Sequence, residues 1–319
     1  MNPILKNDGK GTKFENSLLN VEGLTVDFPT SIGYSTAVKE LSFHINKGET
    51  LGVVGKSGSG KSVTALSLIR LVEFGGGRIT SGGIEFLQKN GSKIDLHNQS
   101  NLQMRKIRGN EIAMIFQEPM TSLNPTFSVG YQITEAIQLH QGLKDKDAWE
   151  MAHDVLEQVR IPEARRRLRQ YPYELSGGMR QRVMIAMALA CRPLLLIADE
   201  PSTALDVTIQ AQILSLIKEL QEEIGMAVLF ITHDMGVVSE MADRVLIMNG
   251  GKKVEEGNIF ELFKNPKDEY TKMLLKAVPR YGSMHGTSEP RRFSNESNPS
   301  YKTSRSNLVP IMGLSLIHI

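Results

Sequence analysis

Eight consecutive residues, Gly55-Lys56-Ser57-Gly58-Ser59-Gly60-Lys61-Ser62, have the types and spacing to hold a chain of phosphates. They fit the pattern G-x-x-x-x-G-K-[ST]. Glycines at 55, 58 and 60 permit positive φ and close backbone approach, so successive N–H groups can curl around phosphate oxygens. Lys61 supplies a mobile positive charge for the β- and γ-phosphates, and the Ser62 hydroxyl is placed to ligate Mg²⁺. A helix that begins near Gly60 and runs on through Val63 adds the positive end of its dipole. The flanks agree with this reading. Thr50-Leu51-Gly52-Val53-Val54 is a short apolar run suited to a buried strand, and residues 63–71 have helical apolar spacing. A Gly/Ser turn without a ligand would not need that order of strand, loop and helix. The stretch is a nucleotide site.

Other elements must carry this loop. Residues 19–28 and 36–45 alternate apolar and polar side chains around 29–35, as two antiparallel strands would. Gly75-Gly76-Gly77 stops the helix after the loop, and residues 81–101 read as polar and loop-rich. Residues 112–116 form a second buried strand that ends at Gln117. Residues 118–182 turn helical, with helices expected over 129–140 and 145–160. A third core strand spans 194–198. Ile209, Ile213, Leu216, Ile217 and Leu220 mark one face of the next helix, and Gly225 is its expected C-cap. Residues 227–232 and 244–248 are further strands, and Asn249-Gly250 is a hairpin turn into 252–255. Strands alternating with helices imply a largely parallel sheet covered on its faces.

Composition narrows the class. The 319 residues include 23% charged and 40% hydrophobic positions, enough apolar material for a substantial core. A formal net charge of +2 gives no reason to expect a nucleic-acid partner. The basic run Arg165-Arg166-Arg167-Leu168-Arg169 lacks interleaved aromatics and reads as a solvated helix face. Cys191 is the single cysteine, so neither a disulfide framework nor a cysteine-cluster metal site can form within the chain. Residues 1–17 are polar and lack the apolar core of a signal peptide. The expected organisation is an N-terminal tail at 1–17, a nucleotide-binding domain at 18–280 and a linker or disordered tail at 281–319.

A second constellation lies downstream. Leu175-Ser176-Gly177-Gly178-Met179-Arg180-Gln181 resembles the signature motif of ATP-binding cassette (ABC) ATPases. Leu194-Leu195-Leu196-Ile197-Ala198-Asp199-Glu200 resembles their Walker B strand and Thr203-Ala204-Leu205-Asp206 their D-loop. Gln117 resembles the Q-loop glutamine and His233 the switch histidine. All stand in the family's order over roughly residues 18 to 280. The resemblance implies an α/β fold of the P-loop NTPase (ABC ATPase) type. It has a mostly parallel core sheet, an N-terminal antiparallel β subdomain and an inserted helical subdomain at about 118–182. It also implies ATP and Mg²⁺ as ligands and Gln117 as a Mg²⁺-sensing residue.

Each motif has a physical reason. Ser176 can cap a helix whose first N–H groups are bared by Gly177 and Gly178, which makes a second anion site. One γ-phosphate cannot lie against both that helix and its own phosphate loop unless two cassettes face each other. The family supplies that arrangement: a head-to-tail dimer with ATP between the loop of one half and the signature of the other, with Gln181 of the signature and Asp206 of the D-loop also counted as nucleotide contacts. Asp199 at a strand end puts a carboxylate beside Mg²⁺, through water. Glu200 is the candidate base or orienting group for the attacking water. His233, at the end of its own strand, is a candidate γ-phosphate contact. Adenine needs a π face, for which Phe28 is the choice and Tyr34 the alternative; either can instead be hairpin packing.

Glu118-Pro119-Met120-Thr121-Ser122-Leu123-Asn124-Pro125 narrows the resemblance to the dipeptide, oligopeptide and nickel importer ATPases. Within them it points to the amino-terminal half of two-cassette ATPases that serve glutathione import. In that group the region after the Q-loop docks on coupling helices of membrane subunits. The implied setting is the cytoplasmic face of a bacterial inner membrane, peripheral, with two membrane permease subunits and a periplasmic substrate-binding protein as partners. Lys56 departs from the Glu usual at that position, which reverses a charge near the phosphates. A soluble ABC ATPase of DNA repair or translation is the other class, but it would lack the 118–125 stretch. The polar linker and the apolar ending Leu314-Ser315-Leu316-Ile317-His318-Ile319 lead to the expectation of a front half of a longer tandem protein whose last residues are not native. A native stop codon near Gly313, with no second phosphate loop in frame, would remove it.

Overall fold

The computed structural model describes residues 16–31, 33–117, 122–201 and 206–276, all within one compact unit. Two sheets organise it. The first is antiparallel, in the order β2-β1-β4-β5, with β1 at Ser17–Thr30, β2 at Gly33–Asn46, β4 at Arg78–Leu87 and β5 at Lys93–Asp95. The second has six strands in the order β10-β9-β3-β8-β7-β6. These are β3 Thr50–Val54, β6 Ile112–Ile115, β7 Leu195–Asp199, β8 Ala227–Thr232, β9 Arg244–Asn249 and β10 Lys252–Asn258. Five of them run parallel and β10 alone is antiparallel, joined to β9 by the two-residue turn Gly250-Gly251, one position later than the sequence suggests.

The parallel strands are apolar throughout because both of their faces are covered. Along β7, Leu195 and Ile197 join the core shared with the antiparallel sheet, whereas Leu196 and Ala198 join the core shared with the helices. The period of two in side-chain direction makes this partition. Among the described residues the helices of six or more residues are α1 Lys61–Leu68, α2 Asn101–Ile107, α3 Val129–Gln141, α4 Asp145–Gln158, α5 Gly177–Leu189, α6 Val207–Ile224, α7 Met235–Met241, α8 Ile259–Lys264 and α9 Glu269–Lys276. Gly225 ends α6 in the left-handed region at φ 73°, as its type requires. Among the described residues no helix is long and apolar enough to cross a membrane.

Two expectations need correction. Residues 81–101 are loop only in part: β4 and β5 take 81–87 and 93–95 into the antiparallel sheet, and Ile84 and Phe86 point into its core. The glycine pair hid this. Gly82 sits at φ 97°, where an added Cβ would lie 2.6 Å from the Leu24 backbone nitrogen, so it marks a close strand crossing and not a strand end. The helix after the phosphate loop stops at Leu68 and not near residue 71, because Arg70 turns to φ 53°. Leu71 still packs on the core, which kept the apolar spacing going past the helix end. Several other parts of the sequence reading lie outside the described residues: residues 1–15, 118–121, 202–205 and the tail from 277 onward.

Candidate nucleotide site

The register of the parallel sheet brings the site together. Val54 pairs with Thr232, Asp199 with Ile231, and Ile115 with Ala198. The residues that follow each strand (Gly55, His233, Glu200 and Gln117) therefore emerge at one edge, the carboxyl ends of the strands, where open α/β sheets present ligand sites.

The loop itself closes on its own lysine. Lys61 Nζ donates to Gly55 O at 2.8 Å and to Lys56 O at 3.2 Å. Burial pulls the Lys61 ammonium below its ordinary pKa, and the carboxylates of Glu200 and Asp199 oppose that shift. Gly60 takes φ 97° as the N-cap of α1, and an added Cβ there would come within 2.7 Å of Ala37 O. Only glycine fits that crossing between loop and β2. Gly58 also lies at positive φ, but with open space around it. Lys56, Ser57 and Gly58 are exposed, Ser59 is buried, and Val63 packs partly into the core.

Asp199 is buried at the end of β7. Burial raises its carboxyl above the ordinary range; the Ser62 hydroxyl bonded to it works against this, the neighbouring Glu200 adds to it, and Lys61 lowers it again. Its Oδ1 is buried with no hydrogen-bond partner among the described residues. Glu200 adopts φ 47°, unusual for a non-glycine residue, and its N–H donates to Ile231 O at 2.9 Å. Its carboxylate is held from two sides. Gln117 Nε2 donates to Oε2 at 3.1 Å, and His233 Nδ1 lies 3.0 Å from Oε1. Glu200 is mostly covered (14% exposed) while His233 stands open at 65%.

The signature residues form a separate group. Ser176 Oγ accepts from Met179 N at 3.3 Å and so caps α5, leaving Ser176 and Gly177 exposed. Gly178 is needed for packing, since an added Cβ would press to 3.3 Å on Ile209 of α6. Gln181, expected among the nucleotide contacts, is turned inward in this structure. It is buried, and its Nε2 donates to Pro201 O, so its amide braces the chain just after Glu200. Asp206 caps α6 by accepting from Ile209 N at 3.0 Å. The aromatic candidates both lie at the turn end of the β1–β2 hairpin, where Phe28 pairs with Ser35 and Pro29 with Tyr34. Phe28 is half-buried with its ring against Gly77, and Tyr34 is exposed.

Two features had no motif to announce them. The hydroxyl of Tyr270 on α9 accepts from Lys56 N at 3.0 Å, which ties the C-terminal helix to the phosphate loop. An apolar groove beside the Gln117 end of β6 is lined by Ile69, Leu71, Met114, Phe116, Met184 and Met187, with Ser122 at its rim. Its residues come from four separate stretches of chain, so no local pattern could have shown it. Leu123, by contrast, is buried in the helical core and offers nothing to a partner.

Comparison with known proteins agrees with this geometry. The family profile of the ABC transporters matches residues 38–203. The chain is 57% identical over 276 residues to the glutathione import ATP-binding protein GsiA of Salmonella typhimurium, covering 86% of this chain and 44% of that protein. The same protein of Escherichia coli O1:K1 is also 57% identical over 276 residues. The chain thus spans less than half the length of these relatives. Among solved structures it resembles the ATP-binding cassette MJ0796 in a dimeric post-hydrolysis state bound to ADP and Pi. The TM-score is 0.66 and the identity 27%, over 76% of this chain and 98% of that one. It also resembles cbiO1 of Clostridium perfringens, part of the cbiONQ transporter complex, with TM-score 0.64 and 27% identity over 79% and 92%.

Proposed function

Because the chain belongs to the ABC transporter family, we propose that it is an ATP-hydrolysing subunit energising import of glutathione or small peptides across a bacterial inner membrane. The observation that carries this is the Glu200 carboxylate, held between Gln117 and His233 beside the buried Asp199 and Lys61. A carboxylate positioned at two points, next to a phosphate-binding lysine, is the arrangement that aligns water for attack on a γ-phosphate. The named function of the GsiA relatives supports the substrate class.

The oxygen donors fit Mg²⁺. Asp199 presents a buried, unpartnered Oδ1, and Ser62 lies against the same carboxylate. Mg²⁺ favours such hard oxygen ligands together with several waters. When bound it would supply positive charge to the phosphate oxygens. The chain's own residues do the rest. Lys61 moves its ammonium from the loop carbonyls to phosphate, Glu200 orients water and accepts its proton, and His233 and Gln117 hold Glu200 in place. The exposed N-terminus of α5 at Ser176 and Gly177 serves the nucleotide of a facing cassette, and the dimeric MJ0796 cassette supports that pairing. Phe28, with Tyr34 as the alternative, offers the face for adenine.

The apolar groove next to Gln117 is the surface for a cytoplasmic segment of the permease subunits. Met187→Glu, which puts a charge on its floor, should abolish uptake of labelled glutathione or dipeptide in cells while purified protein keeps basal MgATP hydrolysis within about threefold. Uptake that survives the substitution removes the groove from coupling. No MgATP hydrolysis by the assembled wild-type complex would refute the enzymatic reading itself.

A further inference from the structure

The phosphate loop is held from a direction that its own motif does not supply. Lys56 N donates to the Tyr270 hydroxyl at 3.0 Å, and on the other side of the residue Lys56 O accepts from Ser59 N at 3.1 Å and from Lys61 Nζ at 3.2 Å. The backbone at position 56 is therefore gripped by α9 on one side and by the loop lysine on the other. Tyr270 can serve as a fixed point because its helix is firmly seated. The Glu255 carboxylate on β10 accepts from Lys267 N at 3.0 Å and Asp268 N at 3.1 Å, and Asp268 Oδ1 accepts from Tyr270 N at 2.7 Å. Tyr270, Leu274 and Leu275 pack against the helical core. The hydroxyl thus projects from a packed ring, where little rotamer freedom remains to be lost.

We propose that Tyr270 is a positioning residue of the nucleotide site: its hydroxyl fixes the Lys56 backbone so that Lys61 can exchange loop carbonyls for phosphate without rearranging the loop. This rests on the nucleotide reading above. The ammonium here is satisfied by Gly55 O and Lys56 O. A phosphate must replace those two contacts, and Gly58 and Gly60 leave the loop free to follow a departing lysine. An anchor at Lys56 opposes that. The hydrogen bond belongs to both partners, so nucleotide in the loop must in turn alter α9, as linkage requires.

Tyr270→Phe in the full chain deletes the hydroxyl and keeps the ring. Loss of one such bond should raise the Kd for MgATP roughly three- to tenfold. Turnover at saturating MgATP should stay within about twofold, because Glu200, Gln117 and His233 are untouched. Hydrogen exchange should quicken in peptides covering residues 52–60, with little change in melting temperature. A variant that melts earlier but binds MgATP like the wild type would show a packing role only and overturn the proposal, as would one unchanged in every respect. If the variant does not fold, the wild type decides: saturating MgATP must change exchange over residues 265–276, and an unchanged helix refutes the coupling. Failure of the wild type to bind MgATP at all would instead refute the proposed function.

Discussion

Glu200 is at once strained and braced. Its φ of 47° costs energy for a non-glycine side chain, and such strain persists where the surroundings over-determine it. Here the surroundings are Ile231 O on its N–H, Gln117 and His233 on its carboxylate, and Gln181 on the Pro201 carbonyl that follows. If the carboxylate is the base, Glu200→Gln keeps the shape and one acceptor oxygen for Gln117 Nε2 but removes the proton acceptor. MgATP binding should persist while kcat in the assembled complex falls by about 10²–10⁴. Single-turnover hydrolysis measures this directly, and a loss smaller than threefold assigns the base elsewhere.

At the scale of elements, β9 and β10 depend on a charged cluster under the antiparallel sheet. Arg244 on β9 reaches Glu49 at 2.6 Å and also Glu256 on β10, with Lys253 2.8 Å from Glu256 and His44 close by. Burial alone would raise the Glu256 carboxyl, but Lys253 and Arg244 outweigh it and hold its pKa below the ordinary range. A pKa depressed on folding gives stability that is present in full above the unfolded carboxylate value of about 4.3. That stability disappears as pH falls through the lower, folded value. Melting curves from pH 7 down to pH 3.5 should therefore show a steeper loss for the wild type than for Glu256→Gln. The variant itself should be less stable at pH 7, by about 3 kcal/mol if the cluster behaves as a buried one. Parallel curves with equal midpoints would remove the cluster from the account of how β10 is held.

At the scale of the molecule, the phosphate loop lies at the strand ends of the sheet, whereas Ser176 and Gly177 stand exposed at the start of α5. A composite site formed by two facing cassettes predicts complementation. Lys61→Ala subunits and Ser176→Arg subunits should each be inactive as pure dimers. Mixed dimers should regain up to half of the wild-type hydrolysis per dimer, because one of their two sites is intact. Isolated mixed dimers with no activity would count against self-pairing head to tail. The prediction applies to this chain paired with itself; its match covers only 44% of the relative's length.

By itself the sequence determined the local devices of the candidate site and the order of the elements. The phosphate loop, Asp199-Glu200, the capping serine at 176 and the Gly225 stop are local devices, set by side-chain type over a few residues, and each is found where it was expected. Local patterns also yielded the parallel sheet, since buried strands and amphipathic helices alternate in the chain. They failed at β4 and β5, where Gly82-Gly83 imitates a loop and pairing with β1 overrides it. Only the tertiary structure decided which neighbours each reactive group has. Gln117 and Glu200 meet because β6 and β7 lie side by side in register. Gln181 is turned inward onto the Pro201 carbonyl, and Tyr270 meets Lys56 from 214 positions further along the chain. Such contacts join residues tens to hundreds of positions apart. They depend on how packed elements sit against one another, and no short stretch of chain carries that.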